Sequence, residues 1–133
     1  MTFKHVGLFR EFYDDSPELP SIRDFVRSTP HPDTERIAAY LRGGIGLAGV
    51  GKFVDDVLDP TSRVALTPGF RTDEVWLWRE YLPHYVARHN VALPEDFIAH
   101  MQTNGWTVPR LSETEVSRLS QKLYRDISGE ADS

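Results

Sequence analysis

Apolar residues in this chain switch between two spacings. Val75 and Leu77 alternate with Trp76 and Trp78, a period of two with no polar break that predicts a strand buried on both faces. Asp73 and Glu74 precede it, and Pro68-Gly69 mark a turn before them. A hairpin from about Val64–Thr67 into Val75–Trp78 is therefore expected. The spacing then changes. Leu82, Tyr85, Val86 and His89 fall at i, i+3, i+4 and i+7, one face of a helix. Pro83 fits its first turn, where a missing N–H costs no intrahelical bond, and Asn90 offers a left-handed stop. Leu93-Pro94-Glu95-Asp96 restarts a helix with Pro at its head and two carboxylates at the positive end of the dipole. Phe97, Ile98 and Met101 form its apolar face, and Asn104-Gly105 ends it.

Around this strand–helix–helix unit the pattern is looser. Phe3–Tyr13 fits neither period and reads as an extended or mixed segment lying on the core. Asp14–Pro20 is a loop, Ser21 caps a short helical turn through Val26, and Thr29-Pro30-His31-Pro32 breaks it. Asp33 or Thr34 starts a helix whose Ile37, Ala38, Tyr40 and Leu41 point inward, ending at Gly43-Gly44. Ile45–Val50 and Phe53–Leu58 are expected as two strands about a glycine turn. Trp106 lies in a short extended link and packs back on the helix pair. Ser112-Glu113-Thr114-Glu115 is a capping box, and Val116, Leu119, Leu123 and Ile127 give the following helix one apolar face. Gly129–Ser133 reads as a frayed tail.

These elements predict one α+β domain over residues 1–133. It has a small, mostly antiparallel sheet within Ile45–Trp78 and helices near 34–42, 80–89, 94–104 and 113–127. The 133 residues suffice for one real core, and 40% hydrophobic residues place the chain among folded proteins. The absence of cysteine excludes disulfides, zinc–thiolate sites and thiol nucleophiles. No secretion signal is read at the N-terminus, and no run approaches the ~18 apolar residues of a membrane helix. A cytoplasmic protein is expected. The net charge of −5 works against nucleic acid binding and favours a basic protein partner.

Three features invite a chemical reading. Gly46–Lys52 matches the spacing of a phosphate-binding loop, G-x-x-x-x-G-K, and supports an alternative reading as a small nucleotide- or phosphate-binding enzyme. Phe53 stands where Ser or Thr should hold Mg²⁺, and Asp59-Pro60 leaves no room for the long helix that should follow. Asp55, Asp56 and Asp59 cluster without EF-hand spacing, which reads as a solvated acidic turn or a surface for a basic partner. Glu80 and His84 are an i, i+4 pair of the sort common on helix surfaces. His84 and His89 are five apart, about 140° around a helix, so they are expected to face apart, with no shared metal ion. No catalytic residue, metal or cofactor is expected.

Several runs together resemble a known group. They are Tyr40-Leu41-Arg42-Gly43-Gly44, Asp56-Val57-Leu58-Asp59-Pro60, Thr72-Asp73 with Val75-Trp76-Leu77-Trp78, Tyr81–Val86, Leu93–Phe97 and Asn104-Gly105-Trp106. Over roughly residues 36–108 the chain resembles small actinobacterial proteins similar to the immunity proteins of polymorphic toxin systems. It departs where Glu74 replaces a glycine often found in the turn before the tryptophans. The resemblance implies a non-enzymatic binding protein that neutralises a cognate toxin domain by occluding its active site. Asp55, Asp56, Asp59, Asp73 and Glu74 would be its acidic patch and Trp76 or Trp78 its aromatic anchor. An interaction module with a partner other than a toxin is the further alternative.

Overall fold

The strand written Trp76-Leu77-Trp78-Arg79 lies at the centre of a four-stranded sheet, and both of its faces are covered. A computed structural model describes residues 3–13, 15–47, 53–62 and 65–128. Its strands are β1 (Lys4–His5), β2 (Ile45–Leu47), β3 (Phe70–Thr72) and β4 (Trp76–Arg79), in the order β1-β4-β3-β2. β3 pairs antiparallel with both β2 and β4, while β1 pairs parallel with β4. The helices are α1 (Thr34–Arg42), α2 (Leu82–His89), α3 (Glu95–Thr103) and α4 (Glu113–Ser128). The α+β architecture, the mostly antiparallel sheet and all four helices agree with the reading of the sequence. None of these helices is long and apolar enough to cross a membrane.

The alternation in β4 sorts its side chains into two layers. Trp76 and Trp78 face α1, α2 and α3, where they join Ile37, Tyr40, Leu41, Leu82, Val86, Phe97 and Met101 in one core. Trp76 stacks on Phe97 with ring centroids 4.6 Å apart, and Trp78 Nε1 donates to the Leu41 carbonyl at 3.1 Å. Leu77 points the other way, with Phe3 and Leu47, onto Leu119 and Leu123 of α4. Three consecutive buried residues therefore need two helical layers, and the chain supplies them. Burying a large aromatic this completely is worth about 3 kcal/mol or more. Gly44 is required at one close approach, because a Cβ there would lie 2.5 Å from Trp78 Cζ2.

The capping chemistry works as read. Ser112 Oγ accepts from Glu115 N at 3.2 Å, and the Glu115 carboxylate takes Ser112 N at 3.3 Å. Asn90 closes α2 in the left-handed region at φ 55°, and Ser21 caps a 3₁₀ turn over Ile22–Phe25. Trp106 packs against the α1–α3 core.

Three expectations are corrected. The hairpin partner of β4 is Phe70–Thr72, and the turn lies at 73–75 instead of Pro68-Gly69. Asp73 drives this, as its carboxylate Oδ1 accepts from Val75 N at 3.0 Å and Trp76 N at 2.7 Å. Phe53–Leu58 is not a strand, since only Val54 forms a bridge, to Leu66, before the chain turns. The mixed N-terminal segment contributes β1, a fourth strand outside the span expected for the sheet. Val64, residues 48–52 and the tail at 129–133 lie outside the described residues.

Candidate functional site

The turn after Val54 is built by its own aspartates. Asp56 Oδ1 accepts from Leu58 N at 2.8 Å, and Asp59 Oδ1 accepts from Thr61 N at 3.0 Å and from the Thr61 hydroxyl at 2.6 Å. Such side-chain-to-backbone bonds compete with a ladder and keep this segment from extending the Val54–Leu66 bridge into a strand. The turn is then fastened to α2. Val57 N donates to the Tyr85 hydroxyl at 3.0 Å, and Arg23 donates to the Val57 carbonyl at 3.2 Å.

Asp56 is carried inward by this turn and is only 3% exposed. Its second oxygen, Oδ2, lies 2.7 Å from His84 Nε2 and 2.6 Å from His89 Nε2. The two histidines therefore share one carboxylate oxygen, contrary to the expectation that they face apart. On a helix Tyr85 and His89 lie only about 40° from each other around the axis. The ring of His84 swings toward that side, and the rings of His84 and His89 pack on Tyr85 with centroids 5.3 and 5.8 Å away. Oδ2 fills the point where both imidazoles end. Both rings keep a partly exposed edge, with side-chain exposures of 22% and 17%.

Burial alone would raise the Asp56 carboxyl. The hydrogen bonds from His84, His89 and Leu58 N outweigh it and, with the charge on His89, bring it down to about 2. Tyr85 is pushed up to about 12, first by burial and then by the Asp56 and Asp55 charges, against the Val57 N–H. Asp56, His84 and His89 are the one group of three His, Asp or Glu side chains among the described residues whose ligand atoms lie within 4.8 Å of one another.

A second carboxylate sits 17 positions on in the chain, at Asp73. Its Oδ2 accepts from the Tyr40 hydroxyl at 2.6 Å and lies 3.2 Å from His100 Nε2. Asn104 Nδ2 donates to the Tyr40 oxygen at 3.0 Å. Burial and the Asp73 bond raise the Tyr40 phenol well above its ordinary range, with Asn104 opposing. This network ties the β3–β4 turn to α1 and α3.

The proposed contact patch is thereby divided. Asp56, Asp73, Trp76 and Trp78 are buried, at 3%, 1%, 6% and 1% exposure, and cannot meet a partner as surface groups. The aspartates are turned in by the backbone bonds they accept, and the tryptophans by the two-sided cover of β4. Asp55 is exposed, and Asp59 and Glu74 are half-exposed. Two other aromatics are exposed among the described residues, Phe53 at 69% and Tyr124 of α4 at 67%. A groove lined by Phe25, Arg27, His31, Val86, Asn90 and Ile98 runs beside α2. Arg27 there donates to the Asp24 and Val26 carbonyls, and His31 Nδ1 accepts from Asp33 N.

Gly46 lies in β2 at the sheet edge, and residues 53–62 beyond the glycine loop contain no helix, the element whose N-terminus a phosphate cradle uses. No family model, curated protein or solved structure matches the chain.

Proposed function

We propose that the chain is a non-catalytic binding protein of the immunity type, which neutralises a cognate toxin domain by covering its active site. The observation that carries this reading is Phe53, 69% exposed two residues before exposed Asp55, where the chain enters the turn clamped to α2. An aromatic side chain held out from an anchored loop is the kind of group that dominates binding energy. Holding the loop in place before the encounter lowers the ordering cost of association. Asp55 and Asp59, on a chain of net charge −5, steer a basic cleft toward that anchor. The contact set is thus Phe53, Asp55 and Asp59, with Glu74 at the hairpin tip as a separate acidic point. On this reading the protein acts in the cytoplasm, on a protein, without nucleic acid or membrane.

The test mixes the purified chain with the toxin domain encoded by a neighbouring gene and reads both complex formation and rescue of toxin-expressing cells. A one-to-one complex is expected. Phe53→Ala should weaken it by about 30-fold, a loss of roughly 2 kcal/mol, and Asp55→Lys should slow association most at low salt. A chain that binds a partner but rescues no cells is an interaction module of another kind. Absence of any such toxin gene, or a complex indifferent to both substitutions, overturns the reading.

A further inference from the structure

We propose that Asp56, His84 and His89 form a binding site for a divalent transition-metal ion of the zinc class, held through Asp56 Oδ2 and the two Nε2 atoms and completed by solvent. The inference stands on the α2–turn geometry and does not depend on the partner proposed above.

Asp73 takes two turn amides on Oδ1 and a phenol on Oδ2. Asp56 instead spends Oδ1 on Leu58 N and presents Oδ2 to two imidazoles at 2.7 and 2.6 Å. Three ligand atoms of N, N, O type thus converge within 4.8 Å from two separate parts of the chain. The Leu58 N bond fixes the carboxylate in a one-oxygen pose, as partners of ligating carboxylates do in metal sites. Imidazole nitrogens select zinc, cobalt, nickel, copper or iron(II) over magnesium and calcium.

The spacing needs little change. An ion about 2.1 Å from each ligand in tetrahedral array holds neighbouring ligand atoms about 3.4 Å apart, so the two Asp56–histidine contacts open by roughly 0.7 Å while the two Nε2 atoms, now within 4.8 Å of each other, settle to the same separation. Exposed ring edges make that movement local to the two side chains. The ion takes the place of the Nε2–H hydrogens, and each neutral imidazole then carries its proton on Nδ1. Asp55 and Asp59 flank the centre and add to the negative potential that draws a cation in. Since three protein ligands leave one position of a tetrahedron open, the partly exposed ring edges give water access to it. The ion would weld the Asp56 turn to α2 by coordination where hydrogen bonds hold it now.

The experiment titrates metal-stripped protein with Co²⁺, read by its visible absorption, and with Zn²⁺, read by calorimetry. One ion per chain is expected, with the Co²⁺ spectrum of a low-coordinate nitrogen–oxygen site. The variant His84→Gln with His89→Gln keeps side-chain N–H donors for Asp56, so the turn stays clamped, which circular dichroism checks. Its metal affinity should fall by at least about 100-fold. His100→Gln, at the Asp73 network, should leave metal binding unchanged. Failure of the parent protein to bind either ion, retention of binding in the paired glutamine variant, or equal loss in His100→Gln overturns the proposal.

Discussion

Two buried aspartates meet histidines in this protein, and they are put to different uses. Asp73 takes two turn amides on Oδ1 and the Tyr40 phenol on Oδ2, with His100 Nε2 3.2 Å from that second oxygen. Its histidine is one partner among four, and every bond crosses between a turn and a helix or closes the turn itself. Asp56 has one amide on Oδ1 and two imidazoles on a single oxygen, with both rings open at the rim. A carboxylate with a varied, closed set of donors holds a fold together. One with identical, convergent, half-open partners retains a coordination geometry that a small ion can enter.

The contrast can be broken by mutation. Asp73→Ala removes both turn bonds and leaves Tyr40 and His100 without their carboxylate, so it should cost about 4 kcal/mol in urea unfolding. Asp56→Ala should cost about half that, because His84 and His89 can turn to water at their exposed edges. Equal losses would erase the distinction. Acid sharpens it next. The folded Asp56 carboxyl sits near 2, below its ordinary 3.8. Its stabilising contribution is therefore complete above about pH 4 and is lost as pH falls through 2, about 2 kcal/mol in all. Metal-free protein should show that decline below about pH 4, most of it between pH 4 and pH 2, and Asp56→Ala should show correspondingly less. A smaller effect is expected from Tyr40→Phe, which keeps the ring against Trp78 and Phe97 but deletes the bonds to Asp73 and Asn104. Its cost should be about 1.5 kcal/mol. Smallest of all, Glu74 holds φ at 88° in the turn that Asp73 closes. Glu74→Gly should raise stability by about 0.5 kcal/mol, since relieved strain exceeds the added freedom of the unfolded chain. A melting temperature up by about 2 °C would show it.

Much of the frame was legible because it is written locally. Ser112 and Glu115 announce α4, Asn90 stops α2, and Trp76, Leu77 and Trp78 in succession require cover on two sides, while Val75 before them lies in the turn at 40% exposure. The hairpin partner was misplaced because Pro68-Gly69 is the louder turn signal, whereas the turn at 73–75 is made by a side chain reaching back to amides. Asp56 and Asp73, read as part of a surface patch, proved to be backbone acceptors for the same reason: a short acceptor beside free N–H groups turns inward. The Asp56 centre was not legible, since helical angles place His84 and His89 relative to the axis and say nothing of a carboxylate arriving from 28 residues earlier. Phe53 was counted as a strand residue and so was never weighed as an exposed anchor.

The parallel pairing of β1 with β4 has a consequence in time. Lys4 waits for Trp76, about seventy residues later, and closing so long a loop is entropically slow compared with forming the β3–β4 hairpin next door. The first strand of the chain is thus the last to join the sheet. Until it docks, β4 presents an open edge of unpaired amides and carbonyls, including the Leu77 carbonyl that Val6 N later occupies. A nascent or stressed molecule caught at that stage carries a template for another chain's strand. The rate at which Lys4 and His5 settle then sets how long that edge stays open to another chain.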